Sequence, residues 1–304
     1  MSNGFLSVGA GIAASVFLAL YTIFTILTAL IVYRVGWKTQ YSLLLFFGVL
    51  RLGGQTCGVA FAKLGIEHYQ WLIAYLVLSA EGYFTLVLTC FHYLAKAQIA
   101  QYGSSWIRPT QEEMEIRTKG QNYFRATNTK MSTPSAIFHT ILIPANAILI
   151  AGGTMLTGMD ADQLATHSSK LMTSKLLRCI GQSIFLAETV ILVLLTLYVF
   201  KREKVTSYTM YALFAAYPFL LVRGAFGVMS IFLDKMNYFL MSNYDENGLS
   251  SYFVACEYTM ATTMEFIAAS ILMSNYYMTR YINKRGSVIQ ADDEESSTGD
   301  RQYK

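Results

Sequence analysis

Residues 11–33 read GIAASVFLALYTIFTILTALIVY, an apolar stretch without a charged side chain. As an α-helix this stretch is about 35 Å long at 1.5 Å per residue, which is enough to cross a hydrocarbon core of about 30 Å. It is too long for the apolar core of a secretory signal peptide, and no basic residue precedes it, so we expect it to be retained. The sequence therefore predicts a membrane-embedded fold from its first helix onward.

Six further stretches of similar length and hydropathy follow along the chain. They cover residues 41–62, 71–94, 137–156, 176–200, 208–233 and 252–278. Apolar residues make up 54% of the chain and charged residues only 14%, whereas a soluble domain carries about 25% charged residues. This composition excludes an ordinary soluble enzyme. We predict an all-α polytopic membrane protein with a single domain of seven spans over residues 1–285.

The distribution of lysine and arginine predicts the orientation, because translocated loops are depleted in these residues. Most of them lie in the first, third and fifth connections and after the last stretch. The other connections contain only Lys63, Lys170, Lys175 and Lys235. We therefore expect the N-terminus outside the cytosol and the C-terminus inside. The net charge of +4 then reflects membrane topology, and no basic and aromatic pattern suggests a nucleic-acid partner.

The C-terminal segment and the cysteines limit other possibilities. Residues 286–304 contain DDEESSTGD and almost no apolar side chains, which predicts a disordered acidic tail in the cytosol. The four cysteines lie inside the predicted spans and have no metal-ligand spacing. Neither a metal nor another cofactor is expected.

Two similar arginine motifs suggest an internal repeat. The second stretch carries LRLGG around Arg51, and the sixth carries LVRGAFG around Arg223. Each is followed by a stretch with intramembrane carboxyl groups. The pattern is that of two three-helix units in the same orientation joined by a fourth helix, as in transporters built from parallel repeats. Similar hydropathy alone would give the same pattern, so both explanations stay open.

Charged side chains inside the predicted spans are the strongest functional signal. A charge at the bilayer centre costs about 2.5–3.5 kcal/mol on insertion scales, so these groups are expected to face inward and pair. We expect Arg51 to pair with Glu81, and Arg223 to pair with Glu257. Arg178 lies near the outer end of its stretch and is expected to reach the interface. The alternative is that all these charges only join helices.

The remaining carboxyl groups suggest proton chemistry. The predicted pairs leave Glu188 and Glu265 without an obvious cation, and burial without a cation favours the neutral acid. A neutral acid in a membrane cavity is a potential proton donor. We therefore predict Glu265 as a catalytic acid and Glu81 as a base, with Glu257 and Glu188 as further candidates.

Aromatic side chains lie deep in the predicted spans, beside these acids. Most deep aromatic residues serve packing alone. The alternative is a pocket for a flat or prenylated hydrophobic substrate, in which the π faces of the rings stabilise a cation. The residues assigned to this pocket are Tyr83, Tyr217, Tyr258, Phe226, Phe266 and, on the same helix face as Glu81, His92.

Three motifs resemble an uncharacterised fungal family of seven-span membrane proteins. They are YPFLLVRGAFGVMSIF in the sixth stretch, TMEFIAAS in the seventh and LFFGVLRLGGQ in the second. The architecture and the intramembrane acids are also similar to the membrane-bound terpene cyclases of fungal meroterpenoid pathways, of the ascofuranone and ascochlorin type. That resemblance implies protonation of an epoxide or alkene on a prenyl chain, followed by ring closure.

Three function classes remain open. The first is a metal-independent terpene cyclase or isomerase in the endoplasmic reticulum or another endomembrane, acting on a prenylated epoxide. The second and third are a transporter and a receptor for a lipid or small hydrophobic molecule, which would lie in the plasma membrane. Seven spans with an outside N-terminus favour a receptor, although the third stretch ends FHYLAKAQ without an acidic–arginine switch. A cavity open only to lipid would indicate the enzyme, and a through-going polar path would indicate transport.

Overall fold

The fold is known from a computed structural model that describes residues 5–155, 168–238, 240–245 and 248–299. Long helices make up most of these residues. They are α1 (Val8–Val35), α2 (Gln40–Leu64), α3 (Gln70–Tyr102), α6 (Pro134–Thr154), α7 (Ser168–Arg202), α8 (Tyr208–Phe232) and α10 (Thr263–Gly299). The shorter elements are helices α4 (Gln111–Thr118), α5 (Tyr123–Met131) and α9 (Ser251–Glu257), a π-helical segment (Tyr258–Thr262), and an antiparallel hairpin of strands β1 (Tyr244–Asp245) and β2 (Gly248–Leu249).

Six helices in the described part of the chain are long and apolar enough to cross a membrane: α1, α2, α3, α6, α7 and α8. They correspond to the first six predicted spans, so the prediction of a helical integral membrane protein is confirmed. The seventh predicted span, residues 252–278, is not among them. There the chain is divided into α9, the π-helical segment and α10, and polar residues such as Glu265 and Asn275 interrupt the apolar sequence. The internal repeat stays a prediction.

The long helices form a ring around α3. Neighbours in sequence pack together, with α1 on α2, α2 on α3, α6 on α7 and α7 on α8, and α10 packs on α8. Helix α3 also contacts α6, α7 and α8, while α10 contacts α1 and α2. Polar side chains on α3 are therefore surrounded by protein.

The two ends of the bundle differ in their connections. We call the end with residues 36–39, 103–133 and 203–207 the basic end, since most lysines and arginines outside the long helices lie there. It contains α4, which begins with a capping box between Thr110 and Glu113. The opposite end, with residues 233–250 and the β hairpin, is called the hairpin end. Its cavity and the polar groups beneath it are described below.

Aromatic rings fill the interior beside α1. Tyr21, Phe24, Phe47 and Phe266 contact one another edge to face, with ring centroids 5.4–6.5 Å apart. The outward face of α1 is also apolar, and Ile23 is 58% exposed. Apolar side chains on both faces are typical of a helix that lies between protein and lipid.

The last helix is continuous as far as Gly299. Its side chains are described as far as Ile282, and residues 300–304 lie outside the described residues. The domain boundary at residue 285 and the disordered tail over 286–304 stay predictions.

Candidate functional site

One carboxylate in the middle of the bundle binds two arginines. On α2, Arg51 Nε donates to Glu265 Oε2 at 2.6 Å, and on α8, Arg223 Nε donates to Glu265 Oε1 at 2.5 Å. Arg51 Nη2 makes a further ion-pair contact with the same Oε2, and Arg51 Nη1 donates to Ser79 Oγ at 2.8 Å. Arg51 and Glu265 are both fully buried. The group, which we call the arginine–glutamate network, joins α2, α3, α8 and α10.

The predicted pairs of Arg51 with Glu81 and of Arg223 with Glu257 are wrong. Glu81 instead accepts a hydrogen bond from Asn146 Nδ2 on α6, at 2.6 Å. The reason is the rotation of α3 about its axis. The α3 positions that face Arg51 are Ser79 and Gly82, and successive residues of an α-helix differ in direction by about 100°.

Two glycines allow the helices to approach this network. A Cβ atom at Gly82 would lie 3.0 Å from Arg51 Nε, and one at Gly224 would lie 2.5 Å from Tyr83 Oη. The guanidinium carbon of Arg223 lies 5.0 Å from the centre of the Tyr83 ring, within range of a cation–π interaction. The LVRGAFG motif thus places a glycine directly after its arginine where α8 meets α3 closely, whereas Gly82 lies outside the LRLGG motif.

The expectation that Glu265 lacks a cation is wrong. Arg51 and Arg223 both donate to its carboxyl group through charge-assisted hydrogen bonds. A fully buried carboxyl group bound by two guanidinium groups is suited to holding helices together, whereas an acid catalyst must carry a proton before the reaction begins. The catalytic role of Glu265 stays a prediction, and its pairing speaks against that role.

A π-helical segment places Glu257 on the same side of the last helix as Glu265. In a regular α-helix two residues eight positions apart differ in direction by about 80°. The segment Tyr258–Thr262 closes with a hydrogen bond from Thr263 N–H to Tyr258 O, five residues back. The extra residue in this turn reduces the difference to about 20°. Both carboxyl groups therefore face the interior of the bundle.

Glu257 lines a cavity at the hairpin end. The side chain is 3% exposed, and the phenol groups of Tyr75 and Tyr238 lie beside its carboxyl group. The cavity has a volume of about 80 Å³ and lies between α3, α6, α7, α8 and α9. Apolar residues form most of its wall, and its main polar lining residues are Ser79, Arg178, Gln182, Arg223, Tyr238 and Glu257.

Gly227 leaves room for the side-chain amide of Gln182 at the wall of this cavity. A Cβ atom at Gly227 would overlap Gln182 Oε1, and it would lie 2.8 Å from Gln182 Cδ. The amide group of Gln182 therefore occupies the space that a larger residue at 227 would fill. Gln182 Oε1 has no hydrogen-bond partner among the described residues. Since a buried acceptor without a partner is costly, this atom is available to a donor group that enters the cavity.

Most residues of the predicted aromatic pocket serve packing instead. The Tyr83 hydroxyl bonds with Thr189 Oγ1 at 2.9 Å, and the Tyr217 hydroxyl bonds with Thr196 Oγ1 at 2.7 Å. Phe266 belongs to the aromatic interior beside α1. These side chains do not come together around one space.

The remaining predicted site residues are dispersed. Tyr258 Oη donates to Gln55 Oε1 at 3.3 Å, and Phe226 lines the cavity. His92 lies toward the basic end, where its ring centroid is 6.1 Å from that of His139. Glu188 is buried on α7 and is not part of the described lining of the cavity.

Sequence reasoning missed three residues of the cavity. Gln182 is a polar side chain within an apolar stretch, a signal that could have identified it. Arg178 does not reach the interface but lies buried in the cavity wall. Tyr238 lies in a connection between helices, where the sequence contains no signal that it contacts Glu257.

Residues 119–279 match a family described as a domain of unknown function, DUF7702. The match covers just over half of the chain and includes Arg223, Glu257 and Glu265, but not Arg51. No curated protein and no solved structure matches the chain. The resemblance to terpene cyclases thus has no support from these comparisons. The chain belongs to the family defined by the domain of unknown function DUF7702.

Proposed function

We propose that the protein binds a small polar molecule with an anionic group in the cavity at the hairpin end, as a transporter or a receptor. The observation that supports this most directly is the wall of the cavity. It contains two guanidinium groups, from Arg178 and Arg223, and one carboxyl group, from Glu257. When the buried pair partners Arg51 and Glu265 are included, three guanidinium groups face two carboxyl groups, and this excess of one cation favours an anion. Gln182 Oε1 can accept from a donor on the same ligand.

The size of the cavity favours a small ligand. Its volume of about 80 Å³ is smaller than the cavity of about 150 Å³ that admits benzene in an engineered protein. Sites for drug-sized ligands are larger again, at about 300–1,000 Å³. A short carboxylate suits this space better than a prenyl chain does.

In the proposed arrangement α9, the π-helical segment and the first part of α10 together form a seventh span. The support is that the charge of Glu265 is balanced within the bundle by Arg51 and Arg223, which lowers the cost of placing a carboxylate in that span. With seven spans, the lysine and arginine distribution would place the hairpin end outside the cytosol. The cavity would then take its ligand from outside, and a plasma-membrane location would follow.

A terpene cyclase is the second candidate. Glu257 favours it, because this buried carboxyl group adjoins both a cavity and the phenol groups of Tyr75 and Tyr238. Its general acid would then be Glu257 instead of Glu265. The cavity would have to open toward the lipid to admit a prenylated epoxide. Conversion of such an epoxide by microsomes containing the protein, but not by a Glu257→Gln variant, would favour the cyclase over the binding protein.

A glycine variant tests the binding proposal. Gly227→Ala is expected to push the Gln182 amide into the cavity and to occlude it, since the overlapping atoms belong to the flexible end of that side chain. Gly9→Ala makes the same chemical change where no atom lies within 4 Å of the new Cβ. We expect short carboxylates such as acetate, lactate and succinate to raise the Tm of the purified protein and of Gly9→Ala.

For Gly227→Ala we expect the Tm without ligand to be retained and the carboxylate effect to be lost. An undiminished effect in Gly227→Ala, or no effect of any carboxylate on the wild type, would contradict the proposal. Uptake of a stabilising carboxylate into proteoliposomes would then assign the transporter class, and binding without uptake would assign the receptor class.

A further inference from the structure

A second cavity lies at the basic end and is separate from the proposed ligand cavity. It has a volume of about 290 Å³ and lies where the connection 103–110, α4, α5 and the beginning of α6 meet. Its polar lining residues are Arg108, Lys130, Thr133, Ser135 and His139. Among the described residues no acidic side chain lines it. The cavity is therefore a cationic site.

The cations of this cavity are available to a ligand. Neither Arg108 nor Lys130 forms a salt bridge with a described side chain, and both are exposed. His139 Nδ1 lies 2.6 Å from Ser135 O. Because a carbonyl oxygen only accepts, Nδ1 is the donor in that bond, and Nε2 is the ring nitrogen that remains for a ligand.

The backbone at the start of α6 is already occupied. Thr133 Oγ1 accepts from Ala136 N–H, Ser135 N–H donates to Ile107 O, and Pro134 has no N–H group. An anion in this cavity would thus be bound by side chains and not by free backbone groups. The guanidinium and the ammonium groups together suit a phosphate group, which accepts several charge-assisted hydrogen bonds.

The surroundings place this cavity at the depth of lipid head groups. Ile116 on α4 and Met131 at the end of α5 are 73% and 57% exposed. Exposed apolar side chains on short surface helices are a feature of helices that lie in the membrane interface. Trp106, which is exposed in the adjoining connection, is a residue type that is enriched at that interface. Farther along α6, toward the middle of the bundle, Ile137 and Ile141 are exposed.

We propose that this cavity binds the phosphorylated head group of an anionic phospholipid of the inositol phosphate type. Basic pockets beside membrane helices on the cytosolic side bind such head groups, and the basic end is the end that the charge distribution predicts to be cytosolic. A volume of about 290 Å³ admits a phosphorylated ring. The acyl chains would then lie along the exposed isoleucines of α6.

Native mass spectrometry of the detergent-purified protein tests this site. The probe is a short-chain phosphatidylinositol monophosphate, compared with short-chain phosphatidylinositol, short-chain phosphatidylserine and free inositol phosphate. We expect the monophosphate lipid to bind most tightly. We expect the double variant Arg108→Gln with Lys130→Gln to bind it about thirtyfold more weakly. Each basic residue near an anionic surface contributes about fivefold to the affinity, and the two factors multiply.

The matched control is Arg117→Gln with Lys119→Gln, which removes two exposed positive charges of the same connection that do not line the cavity. An equal loss of binding in this control would indicate general electrostatic attraction and contradict a specific site. Equal binding of phosphatidylserine would contradict the head-group assignment, and equal binding of free inositol phosphate would contradict the lipid source. Unchanged binding in the Arg108 and Lys130 variant would overturn the site itself.

Discussion

Arg51 and Glu265 are 214 residues apart in the chain, and their side chains meet at 2.6 Å in the middle of the bundle. The second oxygen of Glu265 is bound by Arg223, so the carboxylate lies between an arginine from each half of the chain. Buried ion pairs stabilise little compared with apolar packing, but their disruption is costly because it leaves a buried charge. Removing one member of the arginine–glutamate network is therefore expected to lower the stability of the fold.

Glu265→Gln is expected to destabilise the protein more than Arg51→Gln or Arg223→Gln does. The glutamine leaves two buried guanidinium groups without a carboxylate, whereas either arginine variant keeps one ion pair. We expect Glu265→Gln to cost at least about 3–5 kcal/mol, the typical effect of removing one partner of a buried pair. Thermal unfolding of the three variants in detergent measures this order of stability.

Glu81→Gln serves as the control for this series. In the wild type the carboxyl group of Glu81 accepts one hydrogen bond from Asn146. Replacing it with an amide is therefore expected to cost only about 1 kcal/mol of stability. A Glu265→Gln protein as stable as the Glu81→Gln protein would show that the arginine–glutamate network does not hold the bundle together.

Gly224→Ala is expected to destabilise the contact between α8 and α3 by about 1–3 kcal/mol through overpacking. The new Cβ atom would lie 2.5 Å from the Tyr83 hydroxyl oxygen. Removing that oxygen with Tyr83→Phe should relieve part of the overlap. The loss of stability in the double variant is therefore expected to be smaller than the sum of the two single losses, and strict additivity would refute the close approach.

Asn243→Ala is expected to loosen the hairpin end. Asn243 Nδ2 donates to Asp234 O at 2.5 Å and to Asn237 O at 2.8 Å, which ties the connection over residues 233–250 together. Losing these bonds costs about 1–3 kcal/mol locally. Amide hydrogen exchange over 233–250 should become about tenfold faster or more, while Ser42→Ala at the basic end should leave it unchanged.

A tag inserted at Gly120 should be accessible from the cytosol, and a tag at the N-terminus should not be. Gly120 has a φ of 81° and lies in the turn between α4 and α5, where an insertion disturbs little regular structure. Selective permeabilisation of the plasma membrane distinguishes the two sides. Labelling of the N-terminal tag under these conditions would reverse the proposed orientation.

Hydropathy was sufficient to predict six of the seven expected spans and the burial of Arg51, Arg223 and Glu265, but not the pairing of these charges. Pairing depends on the rotation of each helix about its axis, and one residue changes the direction by about 100°. Glu81 and Gly82 illustrate this, since Gly82 faces Arg51 while Glu81 bonds to α6. The π-helical segment is invisible to hydropathy for the same reason, because it alters direction and not composition.

The distance in sequence between Arg51 and Glu265 also affects biogenesis. At about 5–20 residues per second, the ribosome needs about 10–40 s to make the chain between them. During that time α2 must stay in the bilayer with an arginine whose carboxylate does not yet exist. Two partners of Arg51 are available earlier: the ring of Tyr21, whose centre lies 5.9 Å from the guanidinium carbon, and Ser79, which accepts from Arg51 and follows it by only 28 residues. We therefore expect α2 to pair with its early neighbours in the nascent chain before α10 is added.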